Sequence, residues 1–388
     1  MRCRIIILVA LLTFASCSTT RLVPRGERRL ASNDIKIVGG EKISVSELQS
    51  SIRQQPNGSI FGWNPLISVY NWSNGSGRGI NGVWEFFGTA PVVFDSTLVD
   101  KSSESMVEHL HYLGYYDAKV AGVVRTKKRV AKVTYVVDPG KRKVIDRIEY
   151  DIPSGEFAED FSLDSLNMTV HPGDFLSEKL LESETVRGSA YFRNKGYYNF
   201  NKNHYFFEAD TLSGQTVLHY KIKGYTRSDN PDNESPIVKY RIRNVDIMHP
   251  SDIYVRQGLL KDFNKIKPGT YYSEDVVNTT YYRFSALNMF GGVNIEMTPS
   301  DSAYVDCRIK LSGGDMVGYK VNLELSSNSS GLFGASPQLN YYHKNVFGGG
   351  EWLNLGFTGN WQFMPGTNVK SSEWGRSAGI SFPRALGY

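Results

Sequence analysis

Four short phrases carry residue types that could do chemistry. Glu108-His109-Leu110-His111 has the donors of a metal site. Residues two apart on a helix do not share a face, so the two imidazoles read as a solvated helix surface. Gly75-Ser76-Gly77-Arg78-Gly79 has the glycines of a phosphate loop but neither its flanking strand nor its lysine. Lys127-Lys128-Arg129 reads as a hairpin turn, with a contact to anionic headgroups, worth ~1 kcal/mol per charge, as the second reading. Gly348-Gly349-Gly350 serves a tight turn. There is no Ser-His-Asp or Cys-His arrangement, so neither an enzyme nor a metal or cofactor site is expected. What remains is the chemistry of unpaired backbone, in which an exposed strand edge offers N–H and C=O groups to another chain.

The C-terminal region has the pattern such pairing needs. Val317, Tyr319, Val321, Leu323 and Leu325 alternate with Gly318, Lys320, Asn322 and Glu324. Leu353, Leu355, Phe357 and Trp361 alternate with Asn354, Gly356, Thr358, Asn360 and Gln362. From Trp374 to Phe382 only Arg376 breaks the apolar side. Period two means strand. Segments of about ten residues with one apolar and one small or polar face suit an outer-membrane barrel. The region has room for about four such strands, against about eight in the smallest single-chain barrels. An open sheet edge is not viable in lipid. The sequence is therefore expected to carry the front part of a barrel, 314–388.

The N-terminus agrees. Arg2 and Arg4 precede the apolar run Ile5 to Leu12, which is too short to span a bilayer and fits a secretory signal. Ser16-Cys17 closes it in a phrase resembling a bacterial lipoprotein signal, with Phe14 in place of the usual leucine. Cleavage before Cys17 and acylation of its thiol, for instance by palmitate, is the reading, with 1–16 as signal and 17–33 as tether. An ordinary signal cut nearby is the alternative. Of the three cysteines only Cys307 would then remain as a free thiol, so no disulfide is expected; it reads as a small packed residue. The net charge of +5 is spread along the chain, which gives no case for nucleic acid. Tyr and Phe together number 43, which favours sheets over a helical bundle.

The middle of the chain repeats. Pro91, Pro172 and Pro268 are each followed three residues later by an aromatic, Phe94, Phe175 and Tyr271. A glycine comes 23 or 24 residues after each, at Gly114, Gly196 and Gly291. Gly114-Tyr115-Tyr116-Asp117 and Gly196-Tyr197-Tyr198-Asn199 are near-identical; Phe290-Gly291-Gly292-Val293 is degenerate. Helices are expected to start at Ser102 or Ser103, Ser177 and Ser273, and to end at the glycines. Two strands follow each glycine, Ala118–Val124 with Val130–Val137 in the first copy and Tyr198–Glu208 with Gln215–Ile222 in the second. Strands at Lys143–Ile152 and Val238–Ile247 and short helices at Glu156–Leu166 and Ser251–Asp262 precede. The first copy starts with a strand at Ile35–Val38 and a helix at Ser44–Arg53. It carries an insert, Pro56 to Pro91, with Trp63, Trp72 and Trp84, expected to pack on the domain or on a membrane surface.

With its lipoprotein-like start, three strand-helix-helix-strand-strand units and barrel opening, the chain resembles the BamA/TamA-like outer-membrane assembly and translocation family with POTRA domains, in its lipidated TamL-like branch. The Gly-Tyr-Tyr phrases, the Pro-Gly-x-aromatic phrases at Pro172 and Pro268, and the turn Asn345-Val346-Phe347-Gly348-Gly349-Gly350-Glu351 carry the resemblance. It implies an α+β fold of tandem POTRA-like domains at 34–139, 140–224 and 237–313, with a linker at 225–236, followed by the first strands of an antiparallel barrel. It implies a place in the bacterial outer membrane with the POTRA domains in the periplasm. The partners implied are unfolded outer-membrane or secreted polypeptides, outer-membrane lipid, and a periplasmic or inner-membrane protein. The residues expected to pair with client strands are Val120, Tyr198, Phe200, Tyr205 and Phe207 on the POTRA edges, and Val317, Tyr319, Val321, Leu323 and Leu325 at the barrel seam. A periplasmic POTRA scaffold lipoprotein without transport activity is the alternative.

Overall fold

The computed structural model describes residues 19–39, 43–60, 63–211, 214–227, 230–300, 303–327, 331–368 and 370–383. Cys17 and the signal-like segment lie outside the described residues. The chain divides into two compact units, Met1–Tyr150 with Thr169–Glu184 and Phe207–Tyr220, and Asp151–Met168 with Thr185–Phe206 and Lys221–Tyr388.

The first copy of the repeat opens with β1 (Arg29–Ile37) and α1 (Val45–Gln49). The insert folds as α2 (Pro65–Tyr70) and α3 (Ile80–Phe87), and α4 (Ser96–Tyr112), β2 (Lys119–Lys127) and β3 (Val130–Asp138) follow. β1 starts inside the expected tether because it runs parallel to β3, from Arg29 opposite Val130 to Ile37 opposite Val137. That partner rescues the polar run Ser32-Asn33-Asp34. Helix α4 starts six residues earlier than Ser102. The Asp95 carboxylate accepts the Thr97 N–H at 2.9 Å, as an N-cap does. Ser102 and Ser103 sit inside the helix and bond back to the carbonyls of Leu98 and Val99. Leu48, Met106, Leu110, Val133 and Val137 form the core.

The second copy is β4 (Arg147–Asp151), α5 (Glu156–Asp164), a 3₁₀ turn at 165–167, α6 (Glu178–Asn194), a second 3₁₀ turn at 202–204, β5 (Tyr205–Asp210) and β6 (Val217–Ile222). The expected linker is a hairpin, β7 (Tyr225–Arg227) with β8 (Asn230–Ser235). The third copy is β9 (Arg241–Met248), α7 (Gln257–Phe263), α8 (Glu274–Ser285), β10 (Phe290–Ser300) and β11 (Tyr304–Gly313). Its core gathers Ile242, Phe284, Met289, Val305 and Ile309. Cys307 is buried in it, opposite Met297 and Val245.

The three sheets share one order: β1-β3-β2, β4-β6-β5 and β9-β11-β10. In the first and third the central strand is parallel to the opening strand and antiparallel to the other. A four-stranded antiparallel sheet follows, β12 (Val317–Ser327), β13 (Phe333–His343), β14 (Trp352–Phe363) and β15 (Lys370–Ser381), paired in sequence order. The fold is α+β, with POTRA-like units followed by this sheet, which does not close into a barrel among the described residues.

Candidate strand-pairing site

In each POTRA-like unit the strand after the repeated glycine lies at a sheet edge, as the resemblance implied. β2 is exposed along nearly its whole length, with Val120 half-buried on it and Val123 and Val124 outward. It lies close under α4: a Cβ at Gly122 would fall 2.3 Å from the Val99 side chain.

β5 is the second edge. Phe206 faces outward, while Phe207 meets Tyr220 edge-on at 4.9 Å between ring centres. Beside the strand runs a cleft of about 340 Å³, lined by Phe207 and Ala209 of β5, Glu178 and Leu181 of α6, Leu218 of β6 and Leu176. An added strand needs an edge to pair with and pockets for alternate side chains; β5 is the terminal strand of its sheet and has a cleft next to it.

Two expected pairing residues are not on this strand. Asn201 accepts the Asn203 N–H at 2.9 Å and starts the second 3₁₀ turn. That turn separates Tyr198 and Phe200 from Tyr205, where β5 begins. Phe200 is buried, stacked on His204 at 4.8 Å and packed on Phe192 at 4.9 Å. Tyr198 meets Tyr272 edge-on at 5.0 Å, and its hydroxyl donates to the Met297 carbonyl of β10 at 3.0 Å. Aromatic density had read as strand propensity; here the rings are packing. Tyr205 itself is buried at the start of β5.

The glycine phrases serve joints between repeats. Gly114 has φ +95°, and a Cβ there would fall 2.3 Å from the Leu176 carbonyl oxygen, in the loop after Pro172. Arg142 stacks on Phe175 of that loop at 3.8 Å. In the next repeat Arg241 stacks on Tyr271 at 4.0 Å and donates to its hydroxyl at 2.8 Å. Around Gly196, Arg193 pairs with Glu274 at 2.8 Å, and Asn194 accepts from Ser273 and from the Asp275 amide. Lys239 bridges Asp160 at 2.7 Å and Glu156 at 2.8 Å, and Tyr197 donates to Asp160 at 2.8 Å. Burial pulls the Lys239 ammonium down, but the two carboxylates outweigh it and leave its pKa raised. Sequence reading missed these arginines and Lys239; Arg142 and Arg241 stand 30 and 27 residues ahead of the two Pro-Gly phrases.

The four-stranded sheet sorts its side chains by face. Val317, Tyr319, Val321, Leu323 and Leu325 of β12 stand opposite His343, Tyr341, Leu339, Pro337 and Ala335 of β13. Tyr341, Leu339 and Phe333 in turn face Leu355, Phe357 and Phe363. All five β12 residues are exposed. The other face carries Lys320, Asn340, Asn354 and Ser381 around a hollow with Tyr342 and Trp352. Arg376 stands opposite Phe357 on the apolar face. β12 and β15 are the two edges of this sheet among the described residues.

The triple-glycine turn between β13 and β14 is a fastening. Buried Glu351 accepts the Phe347 and Gly349 amides at 3.1 and 2.9 Å. Asn345 accepts the Gly350 amide at 3.0 Å and donates to the Tyr254 carbonyl at 2.8 Å. The Arg256 amide donates to Gly348 at 2.8 Å. Gly348 has φ +81° with the Tyr254 ring against it, where a Cβ would fall 2.5 Å away. Burial pushes the Glu351 carboxyl up, but its backbone donors, with Arg256 3.8 Å away, outweigh that and hold it below the usual carboxylate range.

The remaining phrases stay structural. His109 stacks on Tyr112 and His111 leans on Tyr116. Among the described residues no His, Cys, Asp and Glu cluster could hold a metal. Lys128, at φ 53°, makes the β2–β3 turn, and Arg129 donates to the carbonyls of Val23 and Pro24. Burial and then Asp246 push the Cys307 thiol up to about 12.

Residues 31–140 match the POTRA family model, described as a surface antigen variable number repeat. Among solved structures, the chain is similar to POTRA3-5 of BamA from Haemophilus influenzae, at 17% identity, covering 75% of this chain and 99% of that one, with a TM-score of 0.36. BamA from Haemophilus ducreyi lacking POTRA domains 1-3 matches at 11% identity over 62% of this chain and 48% of that one, TM-score 0.38. CdiB from Escherichia coli matches at 18% identity over 63% and 40%, TM-score 0.31. No curated protein matches. Residues 31–140 match a POTRA domain, and the two units that follow repeat its strand order.

Proposed function

We propose that this chain acts in outer-membrane protein assembly or translocation, taking unfolded polypeptide segments as added strands on its POTRA edges and at β12. The observation that carries this is the place of β5 at the end of its sheet's strand order, with the cleft beside Phe207. A client strand pairing there would gain backbone hydrogen bonds and put alternate side chains into the cleft. The same physics applies at β12, whose apolar face from Val317 to Leu325 suits lipid and whose edge suits an incoming hairpin. In this reading Cys17 carries a lipid, the POTRA-like units stand in the periplasm, and the four-stranded sheet lies in the outer membrane.

The test uses the full chain with a photo-crosslinking phenylalanine at position 206, and at Leu163 of α5 as an exposed control. The probe is a synthetic peptide of the chain's own Trp352–Phe363, a representative amphipathic barrel strand. Position 206 is expected to capture the peptide and position 163 is not. Phe207→Asp should weaken capture by about tenfold, the value of one large apolar contact. Equal labelling at both positions would sink the strand-addition reading. Loss of palmitate labelling in Cys17→Ala, with retention in the parent, tests the anchor separately.

A further inference from the structure

Helix α3 has five apolar residues in eight: Ile80, Val83, Trp84, Phe86 and Phe87. Ile80, Val83, Phe86 and Phe87 fall at i, i+3, i+6 and i+7, which is one helix face. They are 70, 47, 82 and 64% exposed. Trp84 meets Trp72 edge-on, ring centres 5.1 Å apart, and Trp72 is exposed in turn. Between Pro56 and Pro91 the only charged residues are Arg78 and Glu85, and the Glu85 carboxylate accepts the Gly77 amide at 3.2 Å. An apolar helix face of this kind is ordinarily the buried one; here it faces outward.

The chain enters the fold beside this patch. Arg21 donates to the carbonyl of Asn71, at the end of α2 and next to Trp72, at 2.8 Å. Arg21, Arg25 and Arg28 are exposed. Cys17 lies four residues before Arg21 in the sequence.

We infer that the insert is a lipid-docking element. The face of Ile80, Val83, Phe86 and Phe87 would enter the boundary between headgroups and acyl chains, with Trp72 and Trp84 at its rim. Arg21, Arg25 and Arg28 would meet anionic headgroups. An amphipathic face rich in Phe and Trp flanked by arginines is what an interfacial helix presents. Stable attachment takes two signals, and the insert would supply the second beside an acyl group on Cys17. The placement rests on the proposed anchoring; the chemistry of the face does not.

The test is photolabelling of the full chain on vesicles of phosphatidylethanolamine and phosphatidylglycerol carrying a photoactivatable phospholipid, with labelled peptides mapped by mass spectrometry. The Trp352–Phe363 peptide of the lipid-suited sheet is the internal positive, and the Val130–Asp138 peptide of β3 is the background. Peptides spanning Trp72 to Phe87 should label well above background, both in the parent and in Cys17→Ala. Phe86→Asp with Phe87→Asp should lower that labelling by about tenfold or more, as two lost apolar contacts would, with sheet labelling unchanged. Insert labelling at background while the sheet labels would overturn the inference and leave the patch to a protein partner. So would undiminished labelling in the double variant. Absence of palmitate on Cys17 would remove the anchor and leave insert labelling as a separate result.

Discussion

Glu351→Gln should loosen the turn between β13 and β14. The carboxylate is buried, accepts two backbone amides, and faces an arginine that is half exposed. A hydrogen bond to a charged acceptor is worth about 1.5–3 kcal/mol. Both amides go to one carboxylate oxygen, so the amide oxygen of Gln keeps both bonds as neutral ones, each weaker by about 1 kcal/mol, and the long contact to an exposed Arg256 adds little. The net loss is therefore about 2 kcal/mol, and at 1.4 kcal/mol per decade the local protection should fall by about thirtyfold. Hydrogen exchange read on the peptide covering Phe347 to Trp352, in the detergent-solubilised full chain, measures it. The sign with pH also follows. The Glu351 pKa is lowered by folding, so its contribution is present above the ordinary carboxylate value of about 4.3. That contribution fades as pH falls through the depressed folded value. Protection factors, corrected for intrinsic exchange, should drop over that acid window in the parent and stay flat in the variant. Unchanged protection in Glu351→Gln, or a loss shared equally by β2 and β3, would refute the fastening.

Gly114→Ala should destabilise more than Gly155→Ala in thermal denaturation. Both glycines have strongly positive φ, a strain of about 1–2 kcal/mol for alanine, but only Gly114 also meets a carbonyl oxygen at 2.3 Å. Lys239→Met should cost about 3 kcal/mol, because it leaves Asp160 buried without its cation; the denaturation midpoint reads this. Because folding raises the Lys239 pKa, the stabilisation is full below the unfolded value of about 10.4 and is lost as pH rises through the folded one. Cys307 should resist iodoacetamide in the folded chain at pH 8 and react on unfolding, since burial holds its thiol at about 12. Its raised pKa costs stability only as pH climbs past the unfolded thiol value of about 8.5.

The repeat was legible because its signals are local. Glycine with φ above +90° closes α4 and α6, where Gly114 and Gly196 stand, and Ser177 precedes α6 as a capping residue does. The four-stranded sheet was legible because period two survives even with Arg376 on the apolar side. What failed were readings that depend on a distant partner. β1 starts at Arg29 only because β3 lies beside it. Tyr198 and Phe200 have strand-like propensity, yet a 3₁₀ turn and aromatic packing hold them out of β5. Glu351 was visible only as the end of a glycine turn; nothing nearby in sequence announces that Tyr254 and Arg256 receive that turn.

The degenerate third glycine phrase follows from the same logic. Gly114 and Gly196 are tyrosine-flanked because each faces the Pro-Gly-x-aromatic loop of the following repeat, with Arg142 or Arg241 stacked on that loop's ring. No fourth repeat follows Gly291. A Cβ there would instead fall 2.4 Å from the Gly313 carbonyl oxygen, and Gly314 packs back on Met289 and Phe290. The site accepts backbone, not an aromatic loop, so the tyrosines have no partner and are replaced by Gly292 and Val293. The position that joins one repeat to the next in the first two copies thus packs, in the last, on the end of β11, just ahead of β12. The Glu351 turn, in its place, holds the β13–β14 connection to Tyr254 and Arg256 of the third repeat, and β12 has one neighbouring strand among the described residues.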